Sequence, residues 1–341
     1  LAEQLSRDDA GTARAGSRRP VWRPPGWVRA LGSSLAQAFV VAMGATFVVF
    51  IVMRLIPGDP ARILAGPGGS VTAEQVERTR RELGLDQPLL VQYWDWVTAA
   101  LRGDFGNSLV LNDRVSDLLG DRLVVTAQLS FYAFLVAVVI GLPASLLAAR
   151  WQGAAADKIA RLVGTTGIAV PSFWLALLLI IAFQGVLPTF GYVPAGRELA
   201  DHLAHMFLPA LALGTGLATL VFETNRAGMI DTLGSDYIRT SRAFGVSEWR
   251  IFSRYAMRNA FLPTMTIMAI QVGTLMGGAL LVENAFALPG MGRLVVQGVL
   301  SRDYPVVQAC IFVIVVVFVV VNLLTDLLYA VVDPRIRRSR A

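Results

Sequence analysis

The sequence predicts an all-α integral membrane protein with six transmembrane helices and a small extracellular helical insertion after the first. Three observations carry this expectation. Uncharged apolar runs of about 20 residues recur along the chain, each long enough to cross a hydrocarbon core of about 30 Å as helix. Of the 341 residues, 55% are hydrophobic and only 16% are charged, against roughly 25% charged in a soluble protein. The arginines gather in alternate loops, the asymmetry that orients membrane helices.

The elements follow in order. Residues 1–34 are polar and Arg-rich and read as a disordered cytoplasmic tail, ending in a short interfacial stretch around Trp22 and Trp27. The first span, 35–56, stops at Pro57-Gly58-Asp59-Pro60. Residues 57–122 form the insertion. Within it Thr72 and Gln75 read as a capping box opening a helix that ends before Gly84. Pro88 suits the first turn of a second helix reaching about Leu101, with Leu89, Tyr93, Trp96, Val97 and Ala100 on one side. Five more spans are expected at 123–147, 163–186, 206–222, 261–282 and 306–332, which with their loops make a core over 123–332. The third carries Pro171 near its start, and the fourth is short and holds Pro209, Gly214 and Gly216. Residues 333–341 are a second basic tail.

Net charge is +6, and its placement argues for topology rather than nucleic acid. Arginine crowds the N-terminal tail, the loop after span two (Arg150, Arg161, with Lys158), the loop after span four and the C-terminal tail. Both termini are therefore expected in the cytoplasm and the insertion outside. The one cysteine, Cys310, allows no intramolecular disulfide and no Cys-based metal site. No Gly-x-x-x-x-Gly-Lys-Ser/Thr occurs, so nothing here grips ATP phosphates as a P-loop does. His202 and His205, beside Asp201, read either as part of a metal site or as two solvated histidines in an outer loop.

The cytoplasmic loop 227–260 is the most informative segment. Tyr237, Ser241 and Phe244 share a helical face, Gly245 can end that helix with positive φ, and Ser247 can N-cap the next. On the second helix Trp249, Phe252 and Ala256 line one stripe, and Arg250, Arg254 and Arg258 another. Exposed apolar residues on such a projection call for a docked partner protein or a lipid surface. Short linkers to the membrane argue against a DNA-reading helix-turn-helix. In span five, Gln271, Gly273, Thr274, Gly277 and Gly278 either line a solute path or permit close helix packing. Asn322 and Asp326 share a face of span six, as a functional pair or a structural one.

The cytoplasmic loop resembles the coupling loop of binding-protein-dependent ABC importer permeases, whose pattern is Glu-Ala-Ala, three residues, then Gly. Arg239-Thr240-Ser241, Arg242-Ala243-Phe244 and Gly245 stand in those places: the Gly matches and the Glu-Ala-Ala does not. Arg258 stands where many members have Pro. The substitutions are similar to the peptide/nickel branch, as are Arg54-Leu55-Ile56-Pro57-Gly58-Asp59-Pro60, Leu83-Gly84-Leu85-Asp86, Gly103-Asp104-Phe105-Gly106-Asn107-Ser108, Pro289-Gly290-Met291-Gly292, Arg302-Asp303-Tyr304-Pro305 and Asp333-Pro334-Arg335. The likeness is nearest to the first permease of dipeptide or oligopeptide systems. It implies a type I importer fold, no catalytic residues or metal in this chain, and ATP and Mg held on partner ATPases. It also implies a second homologous permease, two ATP-binding subunits and an extracytoplasmic solute-binding protein. Nickel, glutathione and oligosaccharide importers share the architecture. A secondary transporter is the alternative of another class, and it calls for intramembrane carboxylates and internal repeats.

Overall fold

The computed structural model describes residues 26–55, 72–82, 84–111 and 113–332. The expectations for residues before 26, for Pro57-Gly58-Asp59-Pro60, for 333–341 and for the Asp326 side chain lie outside the described residues. The helices are α1 (Gly26–Leu55), α2 (Ala73–Glu82), α3 (Leu89–Leu101), α4 (Val115–Arg150), α5 (Ala155–Ala169), α6 (Ser172–Phe183), α7 (Leu199–Leu233), α8 (Asp236–Ala243), α9 (Glu248–Ala285), α10 (Met291–Ser301) and α11 (Tyr304–Val332). Residues 26–34, read from sequence as tail, are the first turns of α1.

Among the described residues, four helices are long and apolar enough to cross a membrane: α4, α7, α9 and the Tyr304–Thr325 part of α11. The pair α5 and α6 makes a fifth when taken as one crossing, but the two are bent by 110°. The expected third span is thus not a straight helix. Val170 precedes Pro171, whose ring pushes that residue out of helical ψ; Val170 has ψ 118° and α6 restarts after Pro171. The fourth span is corrected too. Pro209, Gly214 and Gly216 do not shorten it, and α7 runs for 35 residues.

The centre is the packing of α7 against α4 and α9. Ala133, Ala137, Ala210, Ala212 and Ala218 are buried there with Leu129, Leu213 and Val282. Glycine sets the approach. A Cβ on Gly141 would lie 2.6 Å from the Ala218 carbonyl oxygen, and one on Gly214 would overlap the Ala133 carbonyl. Three buried polar groups then fix register, as hydrogen bonds between membrane helices do. Asn225 donates to Ser145 Oγ at 2.7 Å, and Thr264 donates to Asn225 Oδ1 at 3.3 Å, joining α7, α4 and α9.

In the insertion, the Thr72 N–H donates to Gln75 Oε1 at 3.0 Å and the Gln75 N–H to Thr72 Oγ1 at 3.3 Å, so the reciprocal capping box forms. Gly84 has φ 62°, which ends the first helix as expected. α3 packs on α1 through Tyr93 and Val97 against Phe50, while Leu89 is exposed. Two buried carboxylates join the loops at this end. Asp303 accepts from Ser108 Oγ and from the Leu109 N–H at 3.2 Å, tying the insertion to the start of α11. Glu283, near the end of α9, accepts from Thr126 Oγ1 at 2.6 Å and from the Gly292 N–H at 2.8 Å, in the first turn of α10. A Cβ on Gly290 would occupy the space of that carboxylate, and one on Gly292 would overlap the α9 backbone at Leu280. Close approach explains both glycines of Pro289-Gly290-Met291-Gly292.

At the opposite end Arg226 of α7 grips Asp157 of α5 with two bonds, Nε to Oδ1 at 2.7 Å and Nη2 to Oδ2 at 2.8 Å. The Gly153 N–H adds a third donor at 2.9 Å. Removing one partner leaves the other desolvated, although a pair near a membrane face is partly screened. Asp157→Ala is expected to cost about 2 kcal/mol, and adding Arg226→Leu should recover part of it. Thermal unfolding in detergent, followed by tryptophan fluorescence, checks this; an unchanged midpoint in Asp157→Ala would contradict it.

Candidate functional site: the coupling loop and the solute path

The loop after α7 folds as a helical hairpin, α8 followed by α9. Its turn is closed by two backbone hydrogen bonds around a glycine. The Gly245 N–H donates to the Arg242 carbonyl at 2.9 Å and the Val246 N–H to the Ser241 carbonyl at 3.1 Å, the paired bonds that close a helix through a left-handed residue. Gly245 supplies that conformation with φ 77°. Ser247 sits at the next N-cap, but its hydroxyl makes no cap bond. The cross-turn tie is instead Arg242 Nε on Glu248 Oε1 at 2.8 Å, with Nη2 on Oε2 at 3.3 Å.

The expected stripe Trp249–Phe252–Ala256 does not hold as one face. Residues Ile251–Ala256 form a π-helical turn, whose i→i+5 bonds bring residues five apart into register. Ile251 and Ala256 therefore face inward together and are fully buried, Phe252 is half-buried, and Trp249 is 74% exposed. Ala256 packs with Ala149, Met229 and Ala260, so the base of the hairpin is wedged against the ends of α4 and α7. Ile238 of α8 is fully buried as well; both isoleucines were missed in the sequence, where the aromatics drew attention.

What remains outward is the tip. Phe244 is 83% exposed, and Tyr237 is exposed beside it on α8. Tyr237 Oη accepts from Asn259 Nδ2 at 2.7 Å, which steadies α8 on α9. Arg239, Thr240, Arg242 and Ala243 are exposed or half-exposed with Ser241. Arg239 pairs with Asp236 on its own helix. Thr240 and Ser241 donate to the carbonyls of Asp236 and Tyr237, and Arg250, Arg254 and Arg258 of α9 are exposed as well, so the apolar tip is bordered by arginines.

The five residues of the expected solute path divide. Gln271 and Thr274 border a cavity of about 310 Å³ between the α5–α6 break, α7 and α9, together with Pro171, Ser172, Thr215 and Gly216. Thr274 Oγ1 donates to the Gln271 carbonyl at 2.7 Å. Gly273 instead packs on Phe318 and Asn322 of α11, and Gly278 on Leu213 of α7. Gly277 is exposed, with nothing near the place of a Cβ. Ser172 and Thr215 were missed; Pro171 marks the place in the sequence, but whether it breaks the helix there is decided by the neighbouring helices.

The histidines are not in a solvated loop. Both lie in the first turns of α7, and His202 is fully buried, with Nδ1 2.6 Å from the Val193 carbonyl and Nε2 3.2 Å from Tyr132 Oη. His205 pairs with Asp201 at 3.2 Å. No three His, Cys, Asp or Glu side chains come together as a metal set among the described residues.

Residues 141–338, which hold the hairpin and the cavity, match the family described as the binding-protein-dependent transport system inner membrane component. The chain belongs to this family. Residues 28–130 match the N-terminal part of such a membrane component. Among similar proteins are the glutathione transport system permease protein GsiC of Escherichia coli (strain K12) and its namesakes in Shigella dysenteriae serotype 1 and Shigella flexneri serotype 5b. Each is 39% identical over 313 residues, covering 91% of this chain and 98% of the relative. The chain is therefore a multi-pass permease subunit of an ABC importer.

The hairpin geometry generates a direct test. A β-branched residue at φ 77° is strained by roughly 1–2 kcal/mol or more, and no neighbour contacts a Cβ there. Gly245→Val should raise amide exchange in α8 and leave the global unfolding midpoint unchanged. Wild-type exchange in α8 would show that the turn does not depend on glycine.

Proposed function

We propose that this chain is one of two homologous permeases of an importer that carries short peptides, glutathione first among them, across a bacterial cytoplasmic membrane. The observation that carries the solute is the near full-length likeness to glutathione permeases. Glutathione is itself a tripeptide, so this narrows the peptide reading that the motifs suggested. The cavity beside Gln271 and Thr274 is bordered by neutral polar groups and apolar side chains, groups able to hydrogen-bond the amides of a short peptide.

The chain crosses six times in this reading, with α1 and the bent α5–α6 pair counted as crossings. Both termini are cytoplasmic and residues 57–122 lie on the outer side. A solute-binding protein delivers the solute there. Two ATP-binding subunits hold ATP and Mg and perform the hydrolysis. The tip at Phe244 and Trp249 enters one of them, and the residues Tyr237, Arg239, Thr240, Ser241, Arg242, Ala243, Gly245 and Phe252 build or flank that contact. ATP-driven closure pushes the hairpin, whose base already presses on α4 and α7, and the two permease halves rock about the path. The path reading now rests on Gln271 and Thr274, with Gly277 open beside them; Gly273 and Gly278 serve packing.

Two measurements check this. Exposed aromatic anchors contribute roughly 1–2 kcal/mol or more each at an interface, so Phe244→Ala with Trp249→Ala should weaken ATPase-subunit binding about tenfold or more. Undiminished co-purification and ATPase stimulation would remove the tip from the interface. In proteoliposomes holding the assembled importer and its binding protein, ATP-dependent uptake of labelled glutathione is expected. Uptake of nickel or an oligosaccharide with none of glutathione or a short peptide would overturn the solute.

A further inference from the structure

α3 belongs to the insertion, yet it packs on α11, a helix apolar enough to cross a membrane, and on α1, counted as a crossing in the proposed function. Tyr93 Oη donates to the Met43 carbonyl of α1 at 2.9 Å and lies 2.9 Å from Thr46 Oγ1. Met43 stands about 18 Å of helix before the end of α1 at Leu55. Trp96 packs edge-on against Phe312 of α11, with ring centroids 5.7 Å apart. Phe312 is about 12 Å of helix inside the Tyr304 end of α11, a helix that qualifies as a crossing over this stretch. Half of a hydrocarbon core is about 15 Å deep.

Tyr93 and Trp96 are long side chains that reach inward from α3, and the faces of the helix itself fit the membrane boundary. At 100° per residue, Tyr93, Val97 and Ala100 form one arc, and all three are buried. Leu90, Trp94 and Leu101 form the adjacent arc, and they are exposed by 70%, 60% and 71%. Asp95 and Arg102, both exposed, form the third. A water-borne helix carries polar and charged residues over the whole of the face turned away from its core. Here a wholly apolar arc adjoins the buried one, and the charges are confined to the far edge, as in helices lying in the boundary between headgroups and acyl chains. Tryptophans favour that boundary.

We propose that α3 is embedded in the outer leaflet as a non-spanning interfacial helix, with Leu90, Trp94 and Leu101 in contact with lipid acyl chains and Asp95 and Arg102 at the headgroups. The outer side follows the topology proposed above; the lipid contact itself does not. α3 then holds α1 against α11 from within the membrane, and only the remainder of the insertion is free to meet a binding protein.

The test is collision accessibility of nitroxide labels in the assembled importer, in vesicles of phosphatidylethanolamine and phosphatidylglycerol. Leu90→Cys, Leu101→Cys and Asp95→Cys are each made in a Cys310→Ala background. At positions 90 and 101 dissolved oxygen should collide several-fold more than a water-soluble nickel chelate, and at 95 the order should reverse. Chelate access at 90 and 101 equal to that at 95 would put α3 in water. Shielding of 90 and 101 from both agents would mean that protein, such as a second permease, covers this face. Either result overturns the proposal. Solute uptake by the same vesicles is scored separately, so a loss of transport bears on the proposed function and not on the depth of α3.

Discussion

The close approach of α4 and α7 is the constraint on which the rest depends. Lipid tails are as apolar as leucine, so burying apolar area does not drive helices together inside a membrane; contact must come from tight packing and a few hydrogen bonds. Gly141 and Gly214 allow backbone to meet backbone at Ala218 and Ala133. Only at that separation does Asn225 of α7 reach Ser145 of α4 while accepting from Thr264 of α9. The three helices are thereby locked in one register, and the α5–α6 pair and α11 are added around them.

Each end of this scaffold carries a carboxylate satisfied mostly by groups from another element. At one end Glu283 accepts from Thr126 and from the start of α10, and Asp303 holds the insertion segment at Ser108 and Leu109. At the other, Asp157 and Arg226 join α5 to the last turns of α7. The hairpin begins directly beyond that ion pair. Its inward residues, Ile238, Ile251 and Ala256, are buried, while Phe244 and Trp249 are left without cover. The base of the hairpin is joined to α4 and α7 through Ala149 and Met229, which pack with Ala256.

Local chemistry was legible in the sequence, and tertiary consequences were not. The Thr72–Gln75 capping box and the positive φ at Gly245 follow from the side chains at those positions, and both are observed. The hairpin was readable because Gly245 interrupts two short helical patterns. The 110° bend at Val170-Pro171 was not, since proline is tolerated inside membrane helices and only the neighbours decide whether it kinks or breaks one. The length of α7 escaped for the same reason: Pro209 sits within it unbroken. The burial of His202 and Glu283 could not be inferred from charge patterning, because their partners, Val193 with Tyr132 and Thr126 with Gly292, lie on other elements or loops. The π turn at Ile251–Ala256 moved Trp249 off the stripe that a regular helix would have formed.

The claim that backbone contact between α4 and α7 holds the scaffold is tested most directly by thermal unfolding of Gly214→Ala beside Gly216→Ala in detergent. The two glycines share one helix, but a Cβ overlaps the Ala133 carbonyl at Gly214 and meets nothing within 4 Å at Gly216. The account predicts a loss of about 1–3 kcal/mol for Gly214→Ala from overpacking, and no loss, or a gain of a few tenths from reduced chain entropy, for Gly216→Ala. Equal midpoints for both variants would contradict it.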